Sequence, residues 1–160
     1  MKQILLPDRM DFTQIDLEPI RPGWGRVWQG SYVTSDIHQI PGPLAIVCMN
    51  HHEFNEEWID HQRIHAVLSL WIEDTSESTL PDIVIKSAVE AGACFLQNGI
   101  NLYVHCMAGV SRSTYYTVAL YMRLGMEFGE AMRHVASRRK VAWPNNGFHK
   151  HLTELEGMLR

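Results

Sequence analysis

Residues 104–114 read VHCMAGVSRST. The run NLYVHC (101–106) is a short apolar stretch suited to a strand, and RSTYYTVALYMRLG (112–125) has helical spacing with Gly125 at its end. Between them lies a strand-to-helix loop with a thiol, Cys106, at one end and a guanidinium, Arg112, at the other. The intervening Met107, Ala108, Gly109, Val110 and Ser111 are all uncharged. A loop in that position turns several backbone N–H groups inward and ends at the positive pole of the helix dipole. Such a nest binds a tetrahedral oxyanion. Ala108 and Gly109 leave the backbone room to curl, and glycine tolerates a positive φ. Arg112 at the helix start can grip two phosphate oxygens with its planar fork. The same field is expected to favour the thiolate of Cys106. A phosphate cradle with a nucleophile at its base is arranged for attack at phosphorus.

Working outward, RVWQGSYV (26–33), PLAIVCMN (43–50) and IHAVLSLWI (64–72) read as further strands, the last two as strands buried on both faces. Pro41-Gly42-Pro43 is a turn. Asp82 is placed to cap a helix running to Gln97, stopped by Asn98-Gly99. FGEAMRHVASRRK (128–140) is an amphipathic helix, and FHKHLTELEGMLR (148–160) follows the break at Trp143-Pro144-Asn145-Asn146-Gly147. Strands alternating with helices predict an α/β fold with a central, largely parallel sheet flanked by helices. Residues 1–25, with their prolines and glycines, read as an irregular lead-in with room for one short strand. Residues 26–160 form the catalytic domain in this reading.

The chain has 160 residues, enough for one domain with one sizeable core. A formal net charge of −4 gives no general attraction to nucleic acid or to an anionic membrane. No apolar run is long enough for a membrane span, and the start is too soon interrupted for a signal peptide. Three cysteines without a CxxC pair argue against a disulfide framework or a zinc ribbon. They fit a reducing compartment: the cytoplasm, with the nucleus open to the chain. Cys48 and Cys94 read as core, although Cys48 on a neighbouring strand could lie near Cys106. His51-His52 and His61-x-x-x-His65 read as solvated loop rather than metal ligands. Arg138-Arg139-Lys140 reads as a set of charges complementing a helix C-terminus, with contact between one arginine and the active loop as the alternative. The five tryptophans (24, 28, 58, 71, 143) read as core, with Trp143 the candidate pocket wall.

HCMAGVSRS (105–113) resembles the HC-x-x-G-x-x-R-[ST] loop of the cysteine-dependent protein phosphatases, and its Ala-Gly-x-Ser-Arg-Ser form is similar to the dual-specificity branch. The similarity runs from about Val27 to the C-terminus. Trp28-Gln29-Gly30-Ser31 resembles an early strand end of that family, and Pro144-Asn145-Asn146-Gly147-Phe148 resembles its PN-x-GF turn. The resemblance implies a two-step reaction in which Cys106 takes the phosphoryl group and water then releases it. It assigns Arg112 and the amides of Met107 to Arg112 to the phosphate oxygens. It assigns Ser113 to the sulfur as it leaves, His105 to ordering the loop from behind, and Asn145 to bracing it. It implies no metal and no cofactor.

Expelling an alkoxide requires a proton donor, and IEDTSEST (72–79) opens at the same sheet edge as the cradle. Glu73 and Asp74 both qualify by position. The family places an aspartate at about the spacing of Asp74 from Cys106, so the resemblance selects Asp74, with Glu73 in reserve. Uncharged residues at 107, 108, 110 and 111 suit a single phosphoryl group on a protein side chain better than a polyphosphorylated lipid or RNA end. The expected partner is therefore a phosphorylated protein, and the expected enzyme a small atypical dual-specificity phosphatase. The alternatives are a phosphatase acting on a non-protein phosphoester, lipid or RNA, and a phosphate-binding module with little turnover. Oligomeric state is not encoded in any motif.

Overall fold

The structure, a computed structural model, describes residues 9–50 and 58–160. Its strands are β1 (Phe12–Gln14), β2 (Val27–Gly30), β3 (Leu44–Cys48), β4 (Ile64–Ser69) and β5 (Asn101–His105). They form one sheet in the order β1-β2-β5-β3-β4. Only β1 is antiparallel, pairing Phe12–Gln14 against Gly30–Trp28; β2, β5, β3 and β4 are mutually parallel. The helices are α1 (Asp82–Gln97), α2 (Arg112–Arg123), α3 (Phe128–Arg138) and α4 (Asn146–Glu154). Strand parity divides the core. Val27, Ala45, Val47, Leu102 and Val104 join residues of all four helices in one cluster. Trp28, Leu44, Ile46 and Tyr103 face the other way, onto Met10, Val33, Ile37 and Ile40 around the 3₁₀ turn at Ser35–Gln39.

The strand after which the cradle opens, β5, lies at the centre of the sheet, with its Leu102, Tyr103 and Val104 fully buried. The helix that closes the cradle, α2, is buried from Ser113 through Met122 on every side. It carries polar residues there without penalty because Thr114 and Thr117 hydroxyls donate to the carbonyls of Val110 and Ser113, four residues back. The parallel strands all point their C-terminal ends to one edge, so the loops following β3, β4 and β5 open on the same side.

Several expectations are corrected. IHAVLSLWI is not buried on both faces: β4 is an edge strand, and His65, Val67 and Ser69 face solvent. Asp82 does not cap α1. Pro81 holds the cap position, and the Asp82 carboxylate instead lies 2.7 Å from Nε2 of His151. The last helix starts two residues earlier than expected and ends at Glu154. Cys94 is exposed rather than core. Of the tryptophans only Trp28 is buried, while Trp71 and Trp143 are exposed. His61 and His65 lie in and beside β4 and belong to no group of three metal-ligating side chains among the described residues. His51-His52 falls outside the described residues. Among the described residues, no helix is long and apolar enough to cross a membrane.

Candidate active site

The cradle is built by where its carbonyls go. Cys106 O faces His105 Nδ1 at 3.2 Å. Met107 O accepts from the amide of Tyr32 at 3.2 Å. Ala108 O and Gly109 O both accept from the Arg139 guanidinium, at 3.3 and 2.7 Å. Val110 O accepts from the Trp143 amide at 2.9 Å and from the Thr114 hydroxyl at 2.6 Å. In a trans peptide the following N–H points opposite to the carbonyl. Five consecutive carbonyls bonded to the flanks therefore turn the amides of Met107, Ala108, Gly109, Val110 and Ser111 toward the centre. None of these amides donates to an acceptor among the described residues.

Gly109 makes the curl possible. It sits at φ +70°, and a Cβ there would collide with the backbone of Gly30 and with the Arg139 side chain. The loop thus nests against the end of β2. Ser111 occupies the cap position of α2 but makes no side-chain cap bond. The first amides of the helix stay available, and the dipole adds to the positive potential of the loop.

Cys106 lies at the floor of this ring, 3 % exposed, with its Sγ 3.4 Å from Ser113 Oγ. Ser113 is fixed in turn by Gln29, whose Nε2 donates to Ser113 Oγ at 3.2 Å and to Thr114 Oγ1 at 2.8 Å. His105 is fully buried and stacked on Tyr103. Burial lowers its pKa to about 4, so the ring is neutral at pH 7. Since a carbonyl can only accept, His105 Nδ1 carries the proton it gives to Cys106 O. His105 therefore stands behind the loop, on the sheet face opposite the helices. Cys48 shares that face, in register with His105. Burial pushes the Cys48 thiol up, and it donates to Asn50 Oδ1 at 2.8 Å.

Arg112 opens α2. Its Nη1 donates to the carbonyl of Ile72 at 3.3 Å, and its Nε is buried without a hydrogen-bond partner among the described residues. Ile72 begins the loop that carries the two acid candidates. The structure separates them. Asp74 Oδ1 accepts from the Ser111 hydroxyl and from Asn145 Nδ2, each at 2.8 Å. Glu73 is exposed and bonds to neither. Asn145 is the N-cap of α4, accepting from the Phe148 amide, while its Nδ2 also reaches Thr75 O at 3.1 Å. Its backbone amide donates to Ser111 Oγ at 2.9 Å. Asn145 thus ties the 72–79 loop to the cradle, and its side chain bonds to that loop rather than to the ring of amides.

Two contributors, the Ser111 hydroxyl and Gln29, are given no role by the sequence, and a third, Arg139, is given one only as an alternative. Ser111 is read from the sequence only through its backbone amide, whereas its hydroxyl bonds Asp74 and the Asn145 amide. Gln29 had a signal, a polar side chain whose parity sends it toward the helices. Arg139 takes the alternative reading of the cation run, contact with the active loop: its side chain is 2 % exposed and bound to the cradle, not solvated at a helix end.

Residues 28–158 match the family described as dual specificity phosphatase, catalytic domain. The chain belongs to that family. The chain is 36% identical over 84 residues to dual specificity protein phosphatase 15 of Mus musculus, covering 49% of this chain and 36% of that protein. It is 44% identical over 61 residues to dual specificity protein phosphatase 1 of Arabidopsis thaliana, covering 38% of this chain and 31% of that one. The chain thus aligns with about a third of the length of these relatives. Its fold is similar to the crystal structure of human tyrosine phosphatase-like serine/threonine/tyrosine-interacting protein, with a TM-score of 0.70, 26% identity, and coverage of 92% of this chain and 96% of the other. The matched segment begins within β2, so β1 and the residues around it lie outside the family match.

Proposed function

We propose that this chain is a protein phosphatase that hydrolyses phosphotyrosine and phosphoserine or phosphothreonine through a cysteinyl-phosphate at Cys106. One observation carries the reading: a thiol sits at the base of a loop whose five carbonyls are all bonded outward, leaving a ring of amides without protein acceptors. That arrangement suits an anion with three equatorial oxygens, and the buried Arg112 Nε is an unused donor beside it.

In the first step the Cys106 thiolate forms the S–P bond as the ester P–O bond breaks. Asp74 gives its proton to the departing oxygen, which matters most for the poor alkoxide leaving groups of serine and threonine. The amides of Met107 to Arg112 and the guanidinium hold the equatorial oxygens throughout. In the second step water attacks phosphorus, its proton passes to Asp74, and the thiolate leaves with Ser113 Oγ as its hydrogen-bond donor. The charge balance needs neither metal nor cofactor. Uncharged side chains at 107, 108, 110 and 111 supply no cation for a second phosphate, which favours phosphorylated protein side chains over polyphosphorylated lipid or RNA. The three free cysteines fit the cytoplasm as the working compartment.

A side-by-side panel of phosphotyrosyl and phosphothreonyl peptides, phosphoinositides and 5′-triphosphate RNA tests this in the presence of a chelator. Turnover of both peptide classes above the other two is the expected result. Faster release from the lipid or the RNA would reassign the substrate while leaving the chemistry intact.

A further inference from the structure

We infer that Asp11, at the foot of β1, is a positioning residue for the phosphate cradle, acting through Arg139 with Thr13 as its helper. The inference rests on the reading of the cradle as a phosphate site but concerns residues outside the family match.

Arg139 is a guanidinium that has lost almost all contact with water. One side of it serves the cradle, with Nε on Gly109 O at 2.7 Å and Nη2 on Ala108 O at 3.3 Å. The other side is taken by β1. Nη1 and Nη2 bind the two carboxylate oxygens of Asp11 at 3.3 and 3.1 Å, and Nη1 also reaches Thr13 Oγ1 at 3.0 Å. A bidentate carboxylate fixes the plane of a guanidinium as well as compensating its charge. With that plane fixed, Nε and Nη2 stay aimed at the two carbonyls.

Those two carbonyls belong to the peptides whose N–H groups are Gly109 and Val110. Peptide planarity means that holding the oxygens outward holds these two amides inward. The Asp11 carboxylate thus sets the direction of two of the five cradle donors from outside the site. Its own placement is assured by short contacts: the Asp11 amide donates to Ser31 Oγ at 2.9 Å, and its carbonyl accepts from the Ser31 amide at 2.8 Å. Close approach of Asp11 to Gly30 completes the fit, since a Cβ at Gly30 would collide with the Asp11 carbonyl. The Asp11 side chain is nevertheless 73% exposed, so its charge can be removed without opening a cavity. β1 pairs through only three residues at the sheet edge, which makes this brace the part of the cradle's support most easily detached.

The test is the affinity of the full chain for orthovanadate, measured by calorimetric titration so that no turnover is needed, together with the thermal midpoint. Asp11→Asn is expected to weaken vanadate binding about tenfold, with Asp11→Glu restoring most of it and Thr13→Val giving a smaller loss. In the vanadate complex, amide exchange at Gly109 and Val110 should quicken in Asp11→Asn, while the Ser111 amide, set by the Trp143 contact, keeps its rate. A lower thermal midpoint with unchanged vanadate affinity in the folded variant would reduce Asp11 to a stabilising residue and overturn the inference. Should Asp11→Asn fail to fold, Thr13→Val decides by the same two readouts. Failure of the phosphatase reading itself would show differently, as a wild-type chain that binds no vanadate.

Discussion

The two loops that meet at the candidate site are held in opposite ways. The cradle, residues 106–111, is fixed by its main chain: every carbonyl from Cys106 to Val110 has a partner, and the amides are oriented as a consequence. The acid loop, residues 72–79, is largely exposed beyond the buried Ile72 and is tied down by side chains. Asp74 depends on the Ser111 hydroxyl and on Asn145, and Thr75 O on Asn145 again. Backbone preorganisation suits groups that stabilise charge in both steps of the proposed reaction, because no rearrangement is needed when the charge develops. Side-chain tethering suits a group that must exchange protons with solvent and let product leave. Damage to the first loop should therefore be severe and independent of substrate, whereas damage to the second should be graded by leaving group.

The largest effect is expected on the rigid side. Arg112→Lys keeps the charge but loses the fork and the tether to Ile72 O, and kcat/KM should fall by about 10²–10³ for every ester tested. Retention of activity within a few-fold would show that the amides alone suffice. Next comes Asp74→Asn, which keeps both hydrogen bonds to Ser111 and Asn145 within reach of its amide oxygen but removes the proton. kcat for phosphoseryl peptides should drop by about 10²-fold, and for p-nitrophenyl phosphate, whose leaving group needs no proton, by far less. An equal loss on every leaving group would move the acid role, first to Glu73.

The third effect falls on stability rather than on rate, and it belongs to the residue behind the cradle. His105 titrates near 4 in the fold and near its ordinary 6.5 when unfolded. Below 6.5 the unfolded chain therefore binds the extra proton, and its stabilising effect, present above that pH, is lost as pH falls toward 4. Denaturant titrations between pH 7 and 4 should show up to about 3 kcal/mol of lost stability from this group. His105→Gln should flatten that slope while sparing the acid loop. An unchanged slope in the variant would assign the loss to other groups.

How much of this was legible in the sequence follows the same division. The cradle could be read because its requirements are local: Cys106, Gly109, Arg112 and Ser113 stand in one short run between a strand and a helix, and each has a separate physical reason. The sheet could be read because apolar runs such as Leu44–Cys48 and Leu102–Val104 have no other use. What escaped was non-local. The run Arg138-Arg139-Lys140 allows one arginine to reach the active loop, but that it is Arg139 is decided only where the fold brings Gly109 and Asp11 to it. Asn145 could be placed near the site, but whether it served the cradle or the acid loop depended on where residues 72–79 lie. β4 reads as a doubly buried strand because its alternate positions include Val67, and only its place at the sheet edge leaves that side chain exposed. Asp82 has the chemistry of a cap, but Pro81 already occupies that position and His151 claims the carboxylate.

The central claim is that the sulfur of Cys106 becomes covalently bonded to phosphorus. Rapid acid quenching of Ser113→Ala during turnover of a phosphotyrosyl peptide, followed by mass spectrometry of the digest, tests it directly, because slower departure of the thiolate should let the intermediate accumulate. The account predicts one added phosphoryl group on the peptide that contains Cys106, and none in Cys106→Ser, which should also lose turnover. Phosphoryl transfer to another residue, or turnover that survives Cys106→Ser, would contradict it.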